Sequence, residues 1–133
     1  MNWEDGYVFR GRDSSGRETT YDSSHTDSRK GFSPMQALLL SLGACSGMDV
    51  VAILGKRKQD LRSLKVEVSG KRPLHGHPKP FTDIHLSYLV GGKGLQRKYV
   101  EEAVTDSVTK YCSVAATVSG KAKLTYSFEI SEA

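Results

Sequence analysis

Between Leu38 and Leu54 the chain carries apolar residues on nearly every side of a helix, interrupted only by Ser41, Ser46 and Asp49 among polar side chains. The start of that helix is written just before it. Ser33 suits the N-cap, Pro34 fits the first helical position, and Gln36 stands three residues after Ser33, as in a capping box. The pattern predicts a helix from Ser33 to about Gly55 or Lys58, with Lys56, Arg57 and Lys58 placed where the helix dipole favours cations. A helix without one polar face must be covered on several sides. In a chain of 133 residues, that demand points to a second subunit as part of the cover. Gly43 and Gly47, four apart, lie on one face and permit close approach of another backbone.

The remaining segments alternate. Tyr7–Arg10 and Arg17–Tyr21 are strand-like, with turn chemistry at Asp13–Gly16. A polar connector, Asp22 to Gly31, is expected to be an exposed, mobile loop. Leu64–Ser69 and Phe81–Val90 alternate apolar and polar residues, and Gly91–Gly94 is expected to break the second of these strands. Val100, Ala103, Val104, Val108 and Tyr111 form the stripe of a second helix, Leu95 to Cys112. A last strand, Lys121 to Ile130, turns Ala122, Leu124, Tyr126, Phe128 and Ile130 inward. The expectation is a single α+β domain over residues 1–133, with helices packed on antiparallel sheet.

The bulk properties exclude several classes of function. Apolar and charged contents of 38% and 26% fit an ordinary soluble domain. The first residues, Met1 to Asp5, have neither a basic start nor an apolar run, and the stretch from Leu38 to Leu54 falls short of a normal membrane span. A cytoplasmic protein without a membrane partner is the reading. The formal net charge of +4 invites nucleic-acid binding, but the basic residues are dispersed and no nucleic-acid motif accompanies them, so solvated surface charge is preferred. His25, His75, His77 and His85 are scattered, and with two distant cysteines they make no zinc pattern. No phosphate-binding or dinucleotide glycine motif and no Gly-x-Ser-x-Gly elbow occurs, so no cofactor or metal is expected.

What remains is the two cysteines. Cys45 lies mid-helix, roughly 16 Å from the helix start, beyond useful reach of the dipole. Apolar neighbours hold a thiol protonated, and free cysteine commonly serves as a small buried hydrophobe. A reactive Cys45 therefore needs a cation from elsewhere, with Arg10, Arg12, Arg17 and Arg29 as candidates. Cys112 follows Val104 and Val108 on the core-facing stripe of the second helix, where it would face the first helix. Their spacing matches no CxxC motif, and a disulfide would need Cα atoms within about 7 Å.

The segment Ser33-Pro34-Met35-Gln36 through Gly43-Ala44-Cys45-Ser46-Gly47-Met48-Asp49-Val50 resembles the cysteine-bearing helix of the OsmC/Ohr family of osmotically inducible and organic-hydroperoxide-resistance proteins. Lys110-Tyr111-Cys112-Ser113-Val114, followed by a final strand, resembles its second cysteine motif. The resemblance implies an intertwined homodimer, with antiparallel sheets around two long central helices and active sites at the subunit interface. It implies a peroxiredoxin-like thiol peroxidase of oxidative-stress defence, acting on organic hydroperoxides. In that scheme Cys45 attacks the peroxide, Cys112 resolves the sulfenic acid as a disulfide, and a dithiol such as a lipoyl group on a protein restores both. Arg12, in Gly11-Arg12-Asp13, matches the family's thiolate-stabilising arginine. Well-studied members place a glutamate just after the helix-start proline to hold that arginine. Here Met35 stands there, which accepts no charge-assisted hydrogen bond, so this Ser-Pro-Met form is a variant branch. The competing expectation is a non-catalytic dimer on the same fold that senses redox state or binds an apolar ligand.

Overall fold

The computed structural model describes residues 1–26 and 29–133. Part of the polar connector, Asp27 and Ser28, lies outside the described residues. The chain forms two compact units, Met1–Leu38 and Leu39–Ala133.

The first unit is a three-stranded antiparallel sheet in the order β1 (Asn2–Asp5), β2 (Val8–Arg12), β3 (Glu18–Tyr21). The Asp13–Gly16 turn closes the β2–β3 hairpin as the turn residues require. Asp13 Oδ1 accepts from the backbone N–H groups of Ser15 and Arg17, at 2.8 and 2.9 Å. β1 was not expected, because Asn2-Trp3-Glu4-Asp5 has no alternation to signal it. The strand forms by pairing with β2. Buried Asp22 ties the connector down at both ends, its carboxylate accepting from the N–H of Ser23 and of Lys30. The capping box is present. Gln36 N–H donates to Ser33 Oγ and Ser33 N–H donates to Gln36 Oε1, both at 3.3 Å.

Helix α1 runs Pro34–Lys56. At 23 residues it is long and apolar enough to cross a membrane by length and composition alone, which corrects the expectation of a run too short to do so. In the fold one of its faces is a core face. Leu42, Gly43, Ser46, Gly47, Val50 and Leu54 are buried. The glycine pair makes this approach possible: a methyl group on Gly43 would stand 2.9 Å from Val68 Cγ2, and one on Gly47 would stand 3.6 Å from Val66 Cγ2. Beyond that face Leu40, Met48 and Val51 are exposed.

The sheet of the second unit has the order β4 (Asp60–Lys71), β5 (Asp83–Lys93), β6 (Lys123–Glu132). β4 and β5 pair antiparallel, from Asp60↔Lys93 to Lys71↔Asp83, with an irregularity between Leu61 and Ser63. Two expectations need correction here. Gly91 and Gly92 continue β5 instead of breaking it. They stand where Ser63 Oγ and the Asp60 carbonyl crowd the strand, so close that a Cβ would lie 2.2 and 2.3 Å from them, and the chain turns only at Gly94, with φ +62°. β6 pairs parallel to β5, from Asp83↔Lys123 to Gly92↔Glu132, so this sheet is mixed and not antiparallel. Alternation reports which face is buried and says nothing of direction. The helical segments between β5 and β6 carry the chain back to the start of β5, which makes the pairing parallel.

The second long helix is divided as well. α2 covers Arg97–Asp106, Ser107–Tyr111 forms a wider π-type turn, and α3 covers Ser113–Val118. Val100, Ala103 and Val104 of α2 are fully buried, and Arg97 lies over the Phe128 ring of β6 at 4.8 Å. The Arg57–Glu102 ion pair, at 2.6 Å, joins the end of α1 to α2.

Candidate active site

Two segments of the second unit supply the site. α1 presents Cys45, Ser46 and Asp49 within little more than one turn. The π-type turn presents Ser107 and ends at Cys112. Cys112 is not on the second helix, as its spacing from Val104 and Val108 implied. It has extended backbone (φ −72°, ψ 109°) and caps α3, its sulfur accepting from Ala115 N–H at 3.3 Å. Its own N–H donates to the Ser107 carbonyl at 2.8 Å, the five-residue span that widens the turn.

The turn is fixed by hydroxyl groups that carry no motif. Ser107 Oγ lies 2.9 Å from Asp49 Oδ2 and 2.7 Å from Ser46 Oγ, and Ser46 Oγ lies 2.5 Å from the Tyr88 hydroxyl of β5. An ionised carboxylate only accepts, so the directions follow along the chain: Ser107 donates to Asp49, Ser46 to Ser107, and Tyr88 to Ser46. Ser46, Ser107 and Tyr88 have no exposed surface. Burial pushes the Tyr88 phenol up to about 12, so the donor at the head of this chain keeps its proton. The network ties α1, β5 and the π-type turn together one residue from Cys45. Sequence reading missed it, because serines 61 residues apart give no periodic signal.

The two thiols are neighbours. Cys112 is buried, Cys45 is half-buried, and Cys45 lies near enough to act on the Cys112 thiol. Burial, followed by the neighbouring Cys45 thiol, pushes the Cys112 thiol up to about 11. Cys112 therefore remains a protonated thiol at neutral pH, near the other sulfur.

Arg12 lies at the end of β2 in the first unit, its Nε donating to Glu18 Oε1 at 3.0 Å in an exposed ion pair. Arg10 is shared between Glu4 and Glu18, and Arg17 pairs with Asp13. Arg29 Nη1 donates to Gln36 Oε1 at 3.0 Å, so the capping-box residue also holds an arginine. His85 is committed to β6, its ring nitrogens 2.7 and 3.0 Å from Thr125 Oγ1 and Ser127 Oγ. Among the described residues, no three of His, Cys, Asp and Glu gather into a metal-binding group.

A model of the OsmC-like proteins matches residues 25–127, which include both cysteines and the whole hydroxyl network. The chain belongs to the OsmC-like protein family. It is similar to protein YhfA of Escherichia coli K12, 36% identical over 98% of this chain and 95% of that protein. Among solved structures it is similar to a hypothetical protein of Aquifex aeolicus VF5, at 35% identity and a TM-score of 0.88, covering 99% of this chain and 93% of that one. An organic hydroperoxide resistance protein OsmC from Legionella pneumophila shares the fold at 13% identity, with a TM-score of 0.66 over 97% and 99% of the two chains. Family membership thus supports a redox or hydroperoxide-related role, on a mixed α+β fold of two sheets with helices.

Proposed function

We propose that the protein is a thiol-dependent reductase of organic hydroperoxides in oxidative-stress defence. The observation that carries this reading is the unequal pair of neighbouring thiols: Cys45 half-buried, Cys112 buried and protonated. The Cys45 thiolate attacks the peroxide O–O bond, one oxygen stays on sulfur as a sulfenic acid, and the other leaves with a proton as the alcohol. The Cys112 sulfur then displaces that oxygen as water, forming a Cys45–Cys112 disulfide. A dithiol reductant returns both thiols and leaves as its own disulfide. The nearness of the two thiols supports this resolving step.

The working form is proposed to be a cytoplasmic homodimer. Leu40, Met48 and Val51 stand exposed on α1, and a second copy is the simplest cover for them. Arg12, and alternatively Arg29, is the proposed thiolate-stabilising cation.

Consumption of cumene hydroperoxide with a dithiol reductant tests the reading. Turnover is expected for the native protein and none for Cys45→Ser. Cys112→Ser should accumulate a sulfenic acid that dimedone traps, and removal of the activating arginine should slow the first step alone. A non-catalytic sensor would oxidise to the disulfide and fail to turn over, and that result would sink the enzyme reading.

A further inference from the structure

The connection from β4 to β5 carries positive charge and no negative charge between Lys71 and Thr82. Lys71, Arg72 and Lys79 stand on it, with His75 and His77 between them. The sheet brings two more cations to the same end. Lys71 and Lys123 flank Asp83 in the last row across β4, β5 and β6, and Lys121 comes two residues before Lys123. Of the chain's 19 Lys and Arg and 15 Asp and Glu, five and one stand here, and the remaining fourteen of each cancel. The net charge of +4 is therefore gathered at one end of the second unit. Among the described residues none of these five cations is in an ion pair. The sequence scatters them, and the sheet collects them.

At the tip of this connection Leu74 is 85% exposed, the most exposed large apolar side chain of the described structure. The loop beneath it is held in place. Arg72 Nε donates to the Lys79 carbonyl at 2.6 Å, and the Arg72 guanidinium lies over the Phe81 ring at 6.0 Å. Phe81 is buried against Gly70, where a Cβ would stand 2.5 Å from the ring. Pro73, Pro78 and Pro80 restrict the backbone further. A tip already ordered gives up little conformational freedom on docking.

We propose that this tip docks on an anionic lipid surface, with Leu74 entering the headgroup boundary and the cations of the loop and sheet end facing the lipid phosphates. The proposal is independent of the thiol chemistry, and it replaces the expectation of no membrane partner. An apolar anchor and a basic patch side by side are two signals that one surface satisfies together. A nucleic acid would use the charges and leave Leu74 in water. Phe81, the one Phe, Tyr or Trp of the connection, is buried and offers no base a face to stack on. A lipid surface uses both features. Each Lys or Arg beside an anionic leaflet raises binding about fivefold, and burying part of a leucine raises it about tenfold.

Flotation of the full-length protein with phosphatidylcholine vesicles, made with and without phosphatidylglycerol, tests this. At low salt the native protein should float with the anionic vesicles and stay behind with the neutral ones, and high salt should release it. Leu74→Ser, at a site whose side chain the fold does not use, should lower the partition about tenfold. Lys71→Gln with Lys79→Gln should lower it about 25-fold, at about fivefold for each charge. Absence of flotation at low salt, equal flotation with neutral vesicles, or undiminished flotation of Leu74→Ser overturns the proposal. A short DNA duplex bound equally well by the native protein and Leu74→Ser, and more tightly than the vesicles, would also overturn it and give these cations to nucleic acid.

Discussion

Placing a methyl group on each of the two α1 glycines should give opposite results, although both sit on one buried helix face four residues apart. At either site alanine gains helix propensity, about 0.8–1 kcal/mol over glycine. At Gly47 the new Cβ meets Val66 Cγ2 at 3.6 Å and Leu64 Cδ2 at 3.9 Å, ordinary contacts that need no movement. Gly47→Ala is therefore expected to stabilise by about 1 kcal/mol. At Gly43 the Cβ falls 2.9 Å from Val68 Cγ2. A valine has one strongly preferred rotamer and little room to turn away, so helix or strand must give, and overpacking costs about 1–3 kcal/mol. Subtracting the propensity gain leaves Gly43→Ala neutral to destabilising by about 2 kcal/mol. Urea unfolding at one fixed protein concentration measures both, and with a slope of about 1–3 kcal/mol per molar the two midpoints should move apart by several tenths of a molar or more. Equal stabilisation of the two variants would refute the close approach of α1 to β4 from which Cys45 takes its position.

The hydroxyl network predicts a second pattern. Ser107→Ala removes the donor to Asp49 and the acceptor for Ser46, both deep in the structure, and should cost about 1–3 kcal/mol in urea unfolding. It should also slow diamide-driven disulfide formation, because Ser107 sets the turn that ends at Cys112; an unchanged oxidation rate would deny it that positioning role. Alkaline pH should weaken the fold. Cys112 and Tyr88 lie at about 11 and 12, above their ordinary values of 9.0 and 10.0. A raised value stabilises fully below the ordinary one and is lost as pH rises through the raised one, so the stability each group contributes falls away between roughly pH 9 and pH 12. Unfolding midpoints at pH 8 and pH 10.5 under reducing conditions should show the decline, and Cys112→Ala should flatten part of it.

Much of this protein is legible in local text. Ser33, Pro34 and Gln36 announce the start of α1, and the capping bonds form as those side chains demand. Ile84, Leu86, Tyr88 and Val90 alternate, and all four are buried on one face of β5. These features are local because a helix cap spans four residues and a strand repeats every two. β1 escapes notice because its four residues have no pattern of their own and are ordered by β2. The family resemblance was also readable, since helix start, both cysteine motifs and element order lie along the chain.

Sequence alone determined most of the elements, β1 and the division of the second helix apart, and the presence of two cysteines on or near helices. Only the tertiary structure decided that β6 runs parallel to β5, that the second helix opens at Ser107, and that Cys112 leaves that helix to lie near Cys45. The reason is that strand direction depends on where the intervening chain returns. The π-type turn, likewise, is held by hydrogen bonds that Ser107 accepts from Ser46 and donates to Asp49, some sixty residues away. Such bonds arise only when distant side chains are buried together and must satisfy one another, and no repeat along the chain encodes them.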